Sequence, residues 1–306
     1  MVKNAAVPGS LNEKRLKRRN TIHKLLGQSV IWIVLILMYV PILVLIAFSF
    51  SKNDNISLEG DFHFTFELYR DLFLDSEIMT ALGNTLILAI ASALVATILG
   101  TVGAIGAYYS KRRTRNVIEH VTQIPVVNAE IVMALSLTVM FVFIGSYMFG
   151  GTSVFSFWTL LAGHVVLGLP FVYLNVKPKL QQMDPALYEA ALDLGCTQRQ
   201  ALWKATIPEI LPGILSGFLL SITLSLDDFI VTAFTRGPGL LSGEKSIETL
   251  STLVQAKIKK GPIPKEIRAL TTIIFLVVLG IVIGVTIYRN INSNKLKVRK
   301  GRGERQ

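Results

Sequence analysis

Long apolar runs alternate along this chain with short polar connections, and the pattern predicts six membrane-crossing helices. They run approximately from Val30 to Phe50, Leu82 to Tyr108, Ile118 to Ile144, Phe155 to Val176, Ile210 to Ala233 and Ala269 to Tyr288. Each is long enough for a hydrocarbon core of about 30 Å, which takes about 20 residues of helix. The 306 residues are 51% hydrophobic and 17% charged, with a mean hydropathy of +0.53, too apolar for a soluble domain of this size. The expected fold class is an all-α integral membrane protein. It divides into a basic amino-terminal segment (1–29), a transmembrane domain (30–288) and a basic tail (289–306). The first run is too long for the apolar core of a cleavable signal, and no small-x-small site follows Phe50, so it is expected to persist as a helix.

Between the fourth and fifth runs lies a hydrophilic stretch, DPALYEAALDLGCTQRQALWKATIP, over residues 184–208. It predicts two short helices with a sharp corner. Asp184 caps the first, Pro185 takes its first position, where a missing N–H is harmless, and Gly195 suits the left-handed residue that ends it. Thr197 and Gln200 form a capping box that starts the second helix. Leu187, Ala190, Ala191, Leu194, Leu202 and Trp203 are too few for a core and enough for a docking face. The stretch resembles the E-A-A-x-x-x-G-x9-I-x-L-P cytoplasmic loop of permease subunits in binding-protein-dependent ABC importers. Here it stands as Glu189, Ala190, Ala191 and Gly195, then Ala205, Thr206, Ile207 and Pro208, with Ala205 in place of the usual Ile and Ile207 in place of Leu. That resemblance implies the type I ABC importer permease fold. It also implies ATPase coupling through Glu189, Ala190, Ala191, Gly195, Leu202, Trp203 and Pro208.

The formal charge of +11 does not point to nucleic acid, because the basic residues cluster beside the ends of apolar runs. They stand at Lys14 to Arg19, Lys111 to Arg115 and Arg289 to Arg305. Such flanks belong inside, which puts both termini, the second connection and the 184–208 loop in the cytoplasm of a multi-pass inner-membrane protein. The acidic segment from Ser51 to Thr80 suits an outer loop. The connection from Thr235 to Arg268 strains the rule with Lys245, Lys257, Lys259, Lys260, Lys265 and Arg268, and is expected to be partly helical and re-entrant. Cys196 is the one cysteine, so there is no disulfide framework and no thiolate metal site.

Enzyme chemistry is nearly absent. No G-x-x-x-x-G-K-[ST] loop holds phosphates, and the LSGEK at Leu241 to Lys245, similar to an ATPase signature, sits in a predicted outer loop with no phosphate loop beside it. His23, His63, His120 and His164 are scattered without ligand spacing, and His164, inside a run, is expected to be packed and hydrogen-bonded. No metal site and no cofactor are expected in this chain.

Ionisable residues inside the runs are costly unless they face a bundle interior or a wet cavity. There are three clear cases, Glu130, Asp227 and Asp228, all acidic. Gly213, Gly217, Ser221, Ser225, Asp228 and Thr232 recur at three or four residues and form one small, polar stripe. Two readings compete for it: a substrate pathway lined by Ser221, Ser225, Asp228 and Thr232, or a close helix-packing seam. Glu130 is placed either in the pathway or at a pivot made by Pro125 and Asn128. Acids without Lys or Arg in the six runs suit a cation, and several of them suit a polycation, with Phe229, Tyr173 and Trp158 as aromatic candidates for cation–π attraction.

The run from Gly217 through SITLSLDDFIVTAFTRGPG, with Glu130 to Ala134 and Ala269 to Thr272, resembles the PotC-type permeases of spermidine/putrescine ABC importers. The resemblance implies a second, PotB-type permease, two copies of a PotA-type cytoplasmic ATPase that bind ATP and Mg, and an extracytoplasmic PotD-type polyamine-binding protein. The alternatives are a permease of a related importer, for ferric iron or an opine, and a secondary cation transporter, which has no use for the capped two-helix loop.

Overall fold

The computed structural model describes residues 11–51, 64–148, 150, 154–237, 247–260 and 265–277, with isolated positions beyond. The LSGEK stretch, the whole Arg289–Arg305 tail and the acids at 54, 59 and 61 lie outside the described residues. Two compact units are present: residues up to Leu72 with those from Pro262 onward, and Phe73 to Gly261.

The first unit holds α1 (Leu11–Ser49), which is one continuous helix from the basic segment through the first apolar run, with Pro41 inside it. The short helix α2 (Glu67–Leu74) follows a single backbone pairing of Ser51 with Phe64. Residues 265–277 are helical and open the sixth predicted run, which is described only in part. Arg268, read from sequence as part of the connection, is buried within this helical stretch.

The second unit is a helical bundle of α3 (Ser76–Tyr109), α4 (Arg112–Val127), α5 (Glu130–Met148), α6 (Phe157–Gln182), α7 (Pro185–Asp193), α8 (Gln198–Ala201), α9 (Ile207–Asp227), α10 (Ile230–Thr235) and α11 (Leu250–Lys260). Among the described residues five helices are long and apolar enough to cross a membrane: Gln28–Ser49 of α1, then α3, α5, α6 and the continuous stretch Gln198–Asp227.

Two predicted runs differ from the helices observed. Ile118 to Ile144 is broken at Asn128 and Ala129, so that α4 and α5 are separate helices. Pro125 removes a backbone donor one turn before the end, and Asn128 leaves helical geometry at φ −73°, ψ 146°. The expected pivot is this break. The fifth run, Ile210 to Ala233, is broken at Asp228 and Phe229 for a reason that belongs to the site below. The connection after Thr235 is partly helical, as α11.

The core lies where α3, α6 and α9 meet, with Ala96, Ala104 and Ala107 against Val165, Val172, Tyr173, Val176, Leu180 and Ile210. Small residues on α3 and α9 let the backbones approach, which is the main source of helix association where lipid removes the hydrophobic drive. At Gly217 an added Cβ would stand 2.9 Å from the Cα of Val172, so α6 and α9 touch backbone to backbone there. Lys177 of α6 reaches across to Glu119 of α4 at 2.9 Å, and Arg115 of α4 holds the same carboxylate from within its own helix at 3.0 Å.

Candidate functional site

The break in the fifth run is built by Asp228. Its Oδ1 accepts from the Val231 N–H at 3.2 Å, and its Oδ2 from the Thr232 N–H at 2.8 Å and the Thr232 hydroxyl at 2.9 Å. Those are donors that the first turn of α10 would otherwise leave unsatisfied inside the membrane. The side chain therefore ends one helix and starts the next. The Asp228 carbonyl accepts from Ser251 Oγ at 2.6 Å, which ties α11 to the same point.

His164 of α6 completes the arrangement. Its Nε2 lies 2.9 Å from Thr232 Oγ1 and 3.5 Å from Asp228 Oδ2, and its Nδ1 lies 2.7 Å from Ser225 Oγ. Thr232 spends its hydroxyl proton on Asp228, so it accepts from a proton on His164 Nε2, and Nδ1 accepts from Ser225. Ser225 in turn accepts from Ser92 of α3 at 3.2 Å. One histidine thus holds both sides of the break, and the packed, hydrogen-bonded His164 read from the sequence is found.

The small, polar stripe is turned inward. Gly213, Gly217, Ser221 and Ser225 are buried along α9, and Thr232 and Asp228 are buried at the break. Ser221, Ser225, Asp228 and Thr232, expected either as a substrate pathway or as a packing seam, are buried in this chain between α9, α6 and α3. The cause is the close approach of α6, which no spacing within α9 reveals.

Asp227 and Glu130 are the exposed acids. Glu130 opens α5 directly after the Asn128–Ala129 break, and its carboxyl group meets that of Asp228, with Asp227 also in electrostatic range. The two helix breaks therefore lie side by side and bring the three carboxyl groups predicted from sequence to one place. Of the aromatic candidates only Phe229 stands at the break. Tyr173 is packed in the helical core, and Trp158 is exposed in the first turn of α6.

The 184–208 hairpin has the local chemistry expected. Asp184 Oδ1 accepts from the Ala186 N–H at 3.0 Å, Pro185 is the first helical residue, and Gly195 turns the chain at φ +84°. Thr197 and Gln200 form the reciprocal capping box. Glu189, Ala190, Leu194 and Trp203 are exposed, Leu194 by 86% and Trp203 by 67%, whereas Ala201 is buried. The sequence did not reveal the turn that follows: Leu202–Thr206 is a π-helical turn that joins α8 to α9 without a break. The wider turn directly precedes Pro208, whose ring and missing N–H disturb a regular helix at that point.

The model of the family described as binding-protein-dependent transport system inner membrane component matches residues 96–297. The spermidine/putrescine transport system permease protein PotC of Escherichia coli K12 is 33% identical over 247 residues, which is 80% of this chain and 87% of that protein. PotC of Haemophilus influenzae is 32% identical over 84% of this chain and 94% of its own length. Among solved structures, a bacterial alginate ABC transporter in complex with its oligosaccharide-bound periplasmic protein has a chain that superposes with a TM-score of 0.65. It covers 89% of this chain and 94% of that one at 19% identity, a likeness of fold. With its all-helical bundle and the family match over about two thirds of its length, this chain belongs to the inner membrane components of binding-protein-dependent transport systems.

Proposed function

We propose that this chain is a transmembrane permease subunit of an ATP-driven ABC importer that carries spermidine or putrescine across the bacterial inner membrane. The observation that carries this reading is the meeting of Glu130 with Asp228, beside Asp227, where two helices break next to each other. Clustered carboxyl groups recognise a flexible polyamine by its separated ammonium groups. The similarity to PotC supports the same substrate class over ferric iron or an opine.

In this reading the exposed Asp227 and Glu130 line the route, and Phe229 adds an aromatic face. Asp228, Ser225 and Thr232, with His164, hold the break open at a fixed geometry, and Ser221 belongs to the seam behind it. Glu189, Ala190, Ala191, Gly195, Leu202 and Trp203 dock a cytoplasmic ATPase, and Pro208 marks where the hairpin enters α9. Both termini and the 184–208 loop are cytoplasmic. The partners are a second, PotB-type permease, two PotA-type ATPases that bind ATP and Mg, and a PotD-type binding protein. Closure of the ATPases moves the hairpin, and the route alternates between the two sides. A potential negative inside aids a cation by about 2.3 kcal/mol per charge per 100 mV.

The test is reconstitution of the four components in proteoliposomes, with labelled spermidine and putrescine uptake measured with and without ATP. ATP-dependent uptake of either polyamine is expected. Transport of ferric iron or an opine in their place would overturn the substrate. Uptake by this chain without an ATPase would favour a secondary transporter.

A further inference from the structure

Beyond the acidic breaks, the first unit carries a feature that the transport route does not use. Phe50 follows α1 directly, and its ring stacks on Phe64 at 5.3 Å with 11° between planes. Phe66 meets Phe50 and Phe64 edge-on at 5.7 and 5.1 Å, and Tyr69 packs on Phe50 at 5.4 Å. The backbone fixes the group: the Thr65 N–H donates to the Phe50 carbonyl at 2.8 Å, Ser51 pairs with Phe64, and Ser49 Oγ lies 2.9 Å from the Tyr69 hydroxyl. Yet Phe64 and Phe66 are 63% and 64% exposed. Such a cluster is held rigidly and shown outward.

Its depth follows from α1. The apolar stretch Gln28–Ser49 has 22 residues. At 1.5 Å per residue it is about 33 Å long, close to a hydrocarbon core of about 30 Å. The end of α1, and with it Phe50, therefore falls at the boundary between acyl chains and headgroups. Leu43 and Val44 leave an apolar surface exposed on the last turns of α1. Glu67, Arg70 and Asp71 give α2 an exposed polar side. An apolar side of large rings with a polar side beside it is the composition of a segment lying in a membrane interface.

We infer that Phe50, Phe64, Phe66 and Tyr69 form an interfacial anchor, a lipid-binding surface that seats in the headgroup boundary at the end of α1 and fixes the depth of that helix. The occupant is the bilayer. A partner protein on the same rings is the competing outcome.

The test places a nitroxide at Phe66→Cys in a Cys196→Ser background, using the full chain co-expressed with its partner subunits. The assembly is reconstituted in phosphatidylethanolamine–phosphatidylglycerol vesicles, and collision with oxygen and with a water-soluble nickel chelate is compared with labels at Met38→Cys and Arg70→Cys. The expected result is a depth between those two sites, with oxygen favoured over nickel. Nickel access equal to that at Arg70 would overturn the inference, and so would exclusion of both reagents, which marks a protein partner. As a second measurement, emission added by Phe64→Trp is expected to be quenched by lipids brominated near the headgroup and not by aqueous iodide. The reverse pattern would also overturn it.

Discussion

His164 and Asp228 stand 3.5 Å apart, Nε2 to Oδ2, with no solvent-exposed side-chain surface on either residue, and Thr232 bridges them. Their elements are distant in sequence, and the contact joins α6 to the start of α10. Replacing His164 by Leu removes partners from Ser225 and Thr232 at once. A buried polar group left unsatisfied costs about 1 to 3 kcal/mol, so His164→Leu is expected to lower both membrane abundance and the thermal midpoint of the purified chain. A variant as stable as the parent would show that the break is held by other contacts.

Asp227 and Asp228 are neighbours with opposite surroundings, one exposed and one buried, and charge removal separates their roles. Asp227→Asn keeps shape and is expected to reduce polyamine uptake at normal abundance and normal basal ATP hydrolysis. Asp228→Asn replaces an acceptor of three hydrogen bonds by a group with one acceptor oxygen, so loss of abundance accompanies any loss of uptake. Glu130→Gln is expected to have the smaller effect on uptake. Unimpaired uptake in the Asp227→Asn, Glu130→Gln double variant would end the claim that the exposed carboxyl groups guide a polycation.

Gly195 sits in open space, with no heavy atom within 4 Å of an added Cβ, so its φ of +84° is the only obstacle to a side chain. The left-handed conformation costs an L-residue about 1 to 2 kcal/mol. Gly195→Asp is expected to leave the chain in the membrane, misplace the hairpin, and reduce both co-purified ATPase and ATP-dependent uptake. Normal values for both would remove the docking role.

Lys257 of α11 reaches Glu77 at 3.0 Å and Asp75 at 3.6 Å, at the start of α3. Burial works against its charge, but the two carboxylates outweigh burial and hold the ammonium group above its ordinary 10.5. A raised folded-state value stabilises the fold fully below the unfolded value and loses that contribution as pH rises through the folded one. The contribution is small, because the pair is partly exposed and screened. Comparing Lys257→Met with the parent from about pH 7 to about pH 11 is expected to show a stability gap that narrows only above about 10.5. A gap that closes near neutrality would contradict the assignment.

The hairpin was legible in the sequence because its caps are local: Asp184, Gly195, Thr197 and Gln200 satisfy backbone groups within a few residues of themselves. The three acids were legible as well, since charge inside an apolar run has few explanations. What they do was not. Ile230, Val231, Ala233 and Phe234 continue the apolar run through the break, so hydropathy carries straight across Asp228. The residue that decides its role, His164, lies more than sixty positions away. Ser221 and Ser225 would look the same on a packing seam as on a wet route, and only the position of α6 separates the two.

The π turn at Leu202–Thr206 leaves residues 198–227 as one uninterrupted helix of 30 residues. At 1.5 Å per residue this is an arm about 45 Å long, and turning it through about 5° at one end sweeps the other through about 4 Å. The hairpin occupies one end of that arm and Asp227 the other. A displacement of that size, applied where Glu130 meets Asp228, would turn a contact between two side chains into a gap wide enough for an ammonium group.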